Sequence, residues 1–220
     1  MPRKTNEGIQ KEYLILCEGR DAQEFLIAYL DSDAMKTMPR LESDIQVIDY
    51  GGISDLTKTI QILMMMSNYS SVKNIVILRD AEDDATAAIQ SIQDSLRRNG
   101  LPVPKEPNQW VKGKPNIAYS LFPAFDSLTS GALEDLCVSI VAEENWDSMQ
   151  NSIKEFLQII KNNYGKKLPR EFKNKLHTYF SATDEFVSLK IGEAAKAGAF
   201  DWNNAALNAM TKLLSSGFDL

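Results

Sequence analysis

The run Val76-Ile77-Leu78-Arg79-Asp80-Ala81-Glu82-Asp83-Asp84 constrains this chain more than any other stretch. A short apolar segment rich in β-branched residues ends in four acids within five positions. An apolar run of that length reads as a strand buried on both faces. Acids just past such a strand lie at the carboxyl end of a sheet, where open α/β folds put their sites. Crowded carboxylates repel one another unless a cation neutralises them or solvent separates them. The competing source of acids at such a place is a helix start, where negative charge suits the helix dipole.

The chain repeats this pattern. Tyr13 to Cys17 reads as a short buried strand ending at Glu18-Gly19-Arg20-Asp21. Asp21 is expected to cap a helix starting at Ala22, with Phe25, Leu26, Tyr29 and Leu30 as its buried face. A polar connection from Asp31 to Asp44, interrupted by Pro39, leads to a second strand, Ile45 to Tyr50. Gly51-Gly52 signals a turn, and Ser54 or Asp55 caps a helix carrying Leu56, Ile60, Leu63 and Met64. The run Met64-Met65-Met66 reads as packing, because three consecutive helical positions fan out around the axis and cannot all face one metal. Asn74 to Leu78 is the third strand. Its helix runs from Ala85 to Arg98 and stops at Asn99-Gly100. Ile117 to Phe122 is a fourth strand, followed by a turn-rich connection from Phe125 to Gly131 and a helix that opens on Glu134 and Asp135. Strands and helices in this alternation predict an α/β fold with a mainly parallel sheet flanked by helices. From Trp146 onward the patterns are helical. The expected organisation is a tail over residues 1–10, an α/β domain over 11–145, and a helical C-terminal part over 146–220 packed on it.

Composition narrows the function classes. The chain has 220 residues, 44% of them apolar, enough for one sizeable core. A net charge of -6 argues against binding nucleic acid by bulk charge. It leaves room for an enzyme that brings phosphates to a bound metal. Two distant cysteines, Cys17 and Cys137, sit in apolar segments and read as buried free thiols in a reducing compartment. With one histidine and no CxxC pair, a zinc site is not expected. The polar stretch Met1 to Gln10 lacks an apolar signal core, and no stretch approaches ~18 apolar residues, so a cytoplasmic protein outside the membrane is expected.

Acids thus follow two strands: Glu18 after the first, Asp80 and Glu82 after the third. In a parallel sheet such turns fall on one edge and can face each other across a crevice. On these residues the chain resembles a TOPRIM domain, which combines strand-Glu-Gly-helix with a later strand-Asp-x-Asp-helix. Leu14-Ile15-Leu16-Cys17-Glu18-Gly19-Arg20-Asp21 resembles the first motif and Ile75 to Asp84 the second. The whole chain looks closest to a small group of stand-alone bacterial TOPRIM-like proteins of the DUF3226 type. Tyr50-Gly51-Gly52, the Gly131 to Leu136 stretch, Ile191 to Ala195 and Phe200-Asp201-Trp202 support that likeness.

The resemblance implies a TOPRIM-like, Rossmann-like sheet and a Mg²⁺ or Mn²⁺ site acting on phosphodiester bonds. Glu18 takes the place of the family's glutamate, an acid/base or metal ligand, and Asp80 that of the first aspartate. Glu82 stands where the second aspartate is expected, and Asp84 in place of a further acid. The catalytic pair is then Glu18 and Asp80, with Glu82 and Asp84 as further metal ligands. Asp83 and Asp84 are equally explained as helix-start charges. Glu134 and Asp135 are additional acids if their helix starts on the same edge. Arg20, Arg79, Lys166, Lys167 and Arg170 are candidates for phosphate or nucleic-acid contact. Arg20 and Arg79 could instead pair with the acids, and the cluster Lys161, Lys166, Lys167, Arg170, Lys173 and Lys175 could be a solvated face. His177 reads as a structural histidine and Trp202 as a packing anchor.

Two function classes remain open at this stage. One is a Mg²⁺-dependent nuclease or other phosphotransfer enzyme acting on nucleic acid. The other is a non-catalytic module of the same fold that partners another protein, such as an ATPase. A receiver-like phosphoacceptor is disfavoured, because the required aspartate with a distal lysine is not found at the expected spacing. A homo-oligomer is compatible with all of these.

Overall fold

The computed structural model describes residues 8–36, 44–52, 54–123, 130–168 and 170–219. The expected Pro39 connection and the connection from Phe125 lie largely outside the described residues. Of the expected N-terminal tail, residues 1–7 also lie outside them. Ile9 is buried, and Asn68 donates to its carbonyl, so order begins before residue 11.

Four strands form one all-parallel sheet: β1 (Tyr13–Cys17), β2 (Ile45–Asp49), β3 (Asn74–Asp80) and β4 (Asn116–Phe122), in the order β2-β1-β3-β4. Helices cover both faces, which is why the strands read as near-continuous apolar runs. Leu14, Leu16, Ile75, Ile77 and Tyr119 face one layer. That layer is α2 (Leu56–Met65) and α3 (Ala85–Arg98), which contribute Leu56, Ile60, Ile92 and Leu96. The alternate residues Ile15, Cys17, Val76, Leu78 and Ala118 face α1 (Arg20–Leu30) and the helices after β4. Those are α4 (Leu133–Ser139), α5 (Trp146–Tyr164), α6 (Glu171–Ala182), α7 (Ile191–Lys196) and α8 (Asn208–Ser216). The fold is therefore α/β with a helical C-terminal part, as the alternation of elements predicts.

The C-terminal helices share a core with the sheet. Ile153, Leu157, Leu176, Tyr179 and Phe180 join the same apolar cluster as Phe25 and Leu26. Tyr13 Oη donates to the Leu214 carbonyl at 3.0 Å, and Asn74 Nδ2 to the Gly217 carbonyl at 3.0 Å. Trp202 packs edge-on against Phe25 and Phe200, the anchoring role expected of it. Cys17 and Cys137 are buried free thiols, also as expected. Among the described residues no helix is long and apolar enough to cross a membrane.

Several boundaries differ from expectation. β3 runs two residues past Leu78, because Arg79 and Asp80 continue the pairing with Leu121 and Phe122. The first helix starts at Arg20, not Ala22, with Gly19 at the cap and Asp21 in the first turn. The apolar pattern from Ala205 to Leu214 reads as one last helix, but a 3₁₀ turn over Ala205–Leu207 precedes α8. The methionine run does not pack as a unit. Met66 touches the core, but Met65 is 85% exposed and Met64 40%, since the inward stripe of α2 is Leu56, Ile60 and Leu63.

The close approach of α7 to α1 gives a direct check on this architecture. A Cβ built at Gly192 would lie 2.4 Å from Glu24 Cβ. Glycine there lets the two helices touch without intervening side chains. Gly192→Ala is expected to lower stability by about 1–3 kcal/mol through overpacking, read as a fall in the urea midpoint at unchanged slope. An unchanged midpoint would mean that the two helices are further apart than described.

Candidate functional site

The chain leaves β1 through α1 on one face towards β2, and leaves β3 through α3 on the other face towards β4. The connections therefore diverge at the carboxyl ends of β1 and β3, which are neighbours with Cys17 opposite Leu78. This is the topological switch point where open α/β sheets form a crevice. Glu18 follows β1 and Asp80 ends β3, so the two predicted acids border that crevice.

Gly19 (φ 85°) turns the chain after β1, a left-handed conformation that glycine adopts without strain. Its N–H donates to Asp49 Oδ1 at 2.9 Å, and the Gly51 N–H donates to the same oxygen at 2.6 Å. Asp49 thus ties the turns after β1 and β2 together. Glu18 continues the face of Leu14 and Leu16. Its Oε2 accepts from Tyr50 Oη at 3.4 Å and lies 3.4 Å from Arg79 Nε. Burial pushes the Glu18 carboxyl above its ordinary value. Arg79 and Tyr50 oppose this, while Glu82 and Asp49 add to it.

Asp80 emerges on the opposite face of the sheet. Its Oδ1 accepts the Leu133 N–H at the start of α4, at 3.0 Å. That start is held over Asp80 by a two-way exchange, in which the Glu82 N–H donates to the Gly131 carbonyl and the Gly131 N–H to the Glu82 carbonyl, both at 2.7 Å. Asp135 accepts the Ala132 N–H at 2.9 Å and fixes the same turn. Asp80 is pushed up to about 7, first by burial and then by the Glu134 charge; Glu18 and Glu82 raise it further, against the Leu133 N–H. Burial and the Glu134 charge likewise raise Asp135, against the Ala132 N–H. Glu18, Asp80, Glu82 and Glu134 therefore feel one another across a single edge.

Three of these four acids have cationic partners. Besides the Glu18–Arg79 contact, Arg170 Nη2 lies 2.5 Å from Glu82 Oε2, and Lys173 Nζ lies 2.8 Å from Glu134 Oε1. Among the described residues Asp80 has the Leu133 N–H as its hydrogen-bond partner and no ion pair, although the Arg170 charge is near enough to feel it. Among the described residues, no three His, Cys, Asp or Glu side chains stand together as a ready ligand cage.

The remaining sequence candidates separate. Asp84 is the N-cap of α3, its Oδ1 accepting the Ala87 N–H at 3.0 Å, so its helix-start reading is the one seen. Arg20 pairs with Glu24 at 2.7 Å on the surface. Lys166 and Lys167 are exposed after α5, and it is Arg170 and Lys173 that reach the acidic edge. His177 is exposed. Sequence reasoning did not single out Asp49 or Tyr50 as site residues. The only hint was their position at the end of the second strand, directly before Gly51-Gly52. Glu82 holds a left-handed backbone (φ 52°), which is uncommon for this residue type.

No curated protein and no solved structure matches the chain. A family model described as "Protein of unknown function (DUF3226)" matches residues 12–219. That span takes in the sheet, the acidic edge and the C-terminal helices together, and the chain belongs to this DUF3226 family.

Proposed function

We propose that the carboxyl edge of β1 and β3 binds a divalent cation and acts on a phosphodiester, most simply as a nuclease. The observation that carries this reading is Asp80. It is a carboxylate at the switch point that burial and three neighbouring acids hold at about 7, with one backbone N–H as partner. A hard cation relieves that kind of crowding, and the donors on this edge are all carboxylate oxygens, the set that Mg²⁺ and Mn²⁺ prefer. The cation would be held by Asp80 with Glu18 and Glu82, once Arg170 is released from Glu82. The resemblance of the two acidic motifs to TOPRIM domains supports the same assignment. When bound, the metal would neutralise a phosphate oxygen and lower the pKa of a water.

The chain's own groups then have distinct tasks. Glu18, raised above its ordinary value by burial and in contact with Tyr50 and Arg79, is suited to pass a proton to and from a bound water. Leu133 N–H orients Asp80. Arg170 and Lys173 can exchange their carboxylate partners for substrate phosphates. Nucleic acid is the substrate class this arrangement favours.

A second reading, a non-catalytic module that docks a partner protein, is favoured by the ion pairs. Arg79, Arg170 and Lys173 leave the acids largely neutralised within the chain. Metal titration separates the two. Under the enzyme reading, millimolar Mn²⁺ or Mg²⁺ raises Tm by about 3–8 °C relative to EDTA, the size expected from binding well above Kd. The metal also supports cleavage of single- or double-stranded DNA or RNA. An unchanged Tm with either ion would favour the module.

A further inference from the structure

We propose that Arg79 anchors a phosphate oxyanion, its guanidinium N–H groups donating to a phosphate oxygen in the crevice between β1 and β3. This rests on the phosphodiester reading above and names the residue that would grip the phosphate.

Arg79 is only 4% exposed. It extends from β3 to the face that carries Leu14, Leu16, Ile75 and Ile77, an apolar layer where a permanent charge is costly. Two of its nitrogens, Nε and Nη1, are buried without a hydrogen-bond partner. Nε does lie 3.4 Å from Glu18 Oε2, but that approach is too poorly aligned to be a hydrogen bond. Nη1 has no such neighbour. The other buried, unpartnered side-chain atoms among the described residues are the hydroxyls of Tyr69 and Ser120, which are neutral. Arg79 is the charged case, and buried guanidinium N–H groups of native proteins have acceptors.

The position of Arg79 identifies the acceptor. Its strand ends one residue later at Asp80, so the guanidinium stands at the carboxyl edge of the sheet, not deep within it. Tyr50 Oη and Glu18 lie beside it, and Tyr50 is itself buried. Among the described residues this charge is paired with Glu18, whose carboxylate is shared with Tyr50. A guanidinium with free donors, held rigid at a switch-point crevice, suits an incoming phosphate oxygen. The charge-assisted bond it would form is about twice as strong as a neutral one. The neighbouring acids repel a free phosphate, so the grip is expected to be strongest when a divalent cation occupies the edge.

The test is thermal unfolding of wild type and Arg79→Met with inorganic phosphate, with and without Mn²⁺, against chloride of equal ionic strength. Expected is a phosphate-dependent rise of about 3–8 °C in the wild type, larger with Mn²⁺, and none in Arg79→Met. A phosphate response in both proteins overturns the anchor, even if both respond to Mn²⁺ and the metal reading stands. No phosphate response in either condition also overturns it. A response lost in Arg79→Met without any effect of Mn²⁺ supports the anchor and removes the metal. If Arg79→Met does not fold, side-chain ¹⁵N NMR of the wild type decides instead, with the Arg79 signal assigned by its loss in Arg79→Lys. That signal moves on phosphate addition if Arg79 is the anchor and stays in place if it is not.

Discussion

Asp80→Asn raises the thermal stability of the protein above neutral pH while removing its metal response. The folded-state value of about 7 lies above that of an unfolded aspartate, so folding favours the protonated form. The stability linked to Asp80 is full below about pH 4. It declines as pH rises towards 7 and stays lost above that. The ceiling on this loss is roughly 4 kcal/mol; partial solvation and the need to satisfy the new amide reduce it to about 1–3 kcal/mol. Asparagine keeps an oxygen for the Leu133 N–H and carries no charge to oppose Glu134, Glu18 and Glu82. At pH 8 the substitution should therefore raise Tm by about 3–10 °C, and at pH 4 the two proteins should nearly coincide. Mn²⁺ should no longer shift Tm, and any metal-dependent cleavage should fall by about 10²-fold or more. Differential scanning calorimetry from pH 4 to 8 gives the stability result. A variant less stable than wild type at pH 8 would mean that Asp80 is not electrostatically strained.

A gain in stability from removing a buried charge is the usual mark of a residue kept for function. Glu18 has the same sign, because its carboxyl is also raised by burial. The wild-type protein should thus be more stable at mildly acidic than at alkaline pH. An ordinary set of salt-bridged carboxylates would give the reverse trend.

The legible parts of this site were those set by local sequence. Apolar runs ending in Glu18-Gly19 and in Asp80-Ala81-Glu82 mark strand ends, and parallel topology brings strand ends to one edge. The fold class followed from the same alternation. The pairing of Arg79 with an acid was also open to sequence, and it is seen with Glu18; what sequence did not contain was the pairing of Arg170 and Lys173. Arg170 lies 88 positions from Glu82, and Lys173 reaches Glu134 across the α4–α6 contact. Their partners depend on where the C-terminal helices pack, and periodicity in those helices fixes a buried stripe but no docking angle. The faces of the sheet were hidden for a similar reason. With the third strand read as ending at Leu78, Arg79 and Asp80 appeared to lie in one turn. Pairing with β4 carries both into the strand, and the pleat sends them to opposite faces. One residue is then buried beside Glu18 and the other placed under α4. Asp49 was missed because its role is made by backbone donors from two glycine turns, Gly19 and Gly51, which pattern reading treats as separate.

The second large effect concerns those cations. Arg170 and Lys173 stand beside Glu82 and Glu134, two of the acids that crowd Asp80. If the edge is a metal site, Arg170 competes with the metal for the Glu82 oxygens, and Lys173 cancels the Glu134 charge that would otherwise draw the metal in. The cation of each pair is half exposed, so each pair contributes at most about 1 kcal/mol and little to global stability. Removing both with Arg170→Ala and Lys173→Ala should tighten Mn²⁺ binding by about thirtyfold at the upper end, since 1 kcal/mol is about a factor of five. Tm without metal should change by only a few degrees. Isothermal titration with Mn²⁺ reads the affinity directly. The same double variant should bind nucleic acid more weakly and with a shallower salt dependence, because two phosphate-seeking charges are gone. Opposite changes in the two affinities would identify Arg170 and Lys173 as side chains that hold the acids apart until a phosphate draws them off. Equal Mn²⁺ affinity in both proteins would instead make the ion pairs purely structural and favour the docking module over the enzyme.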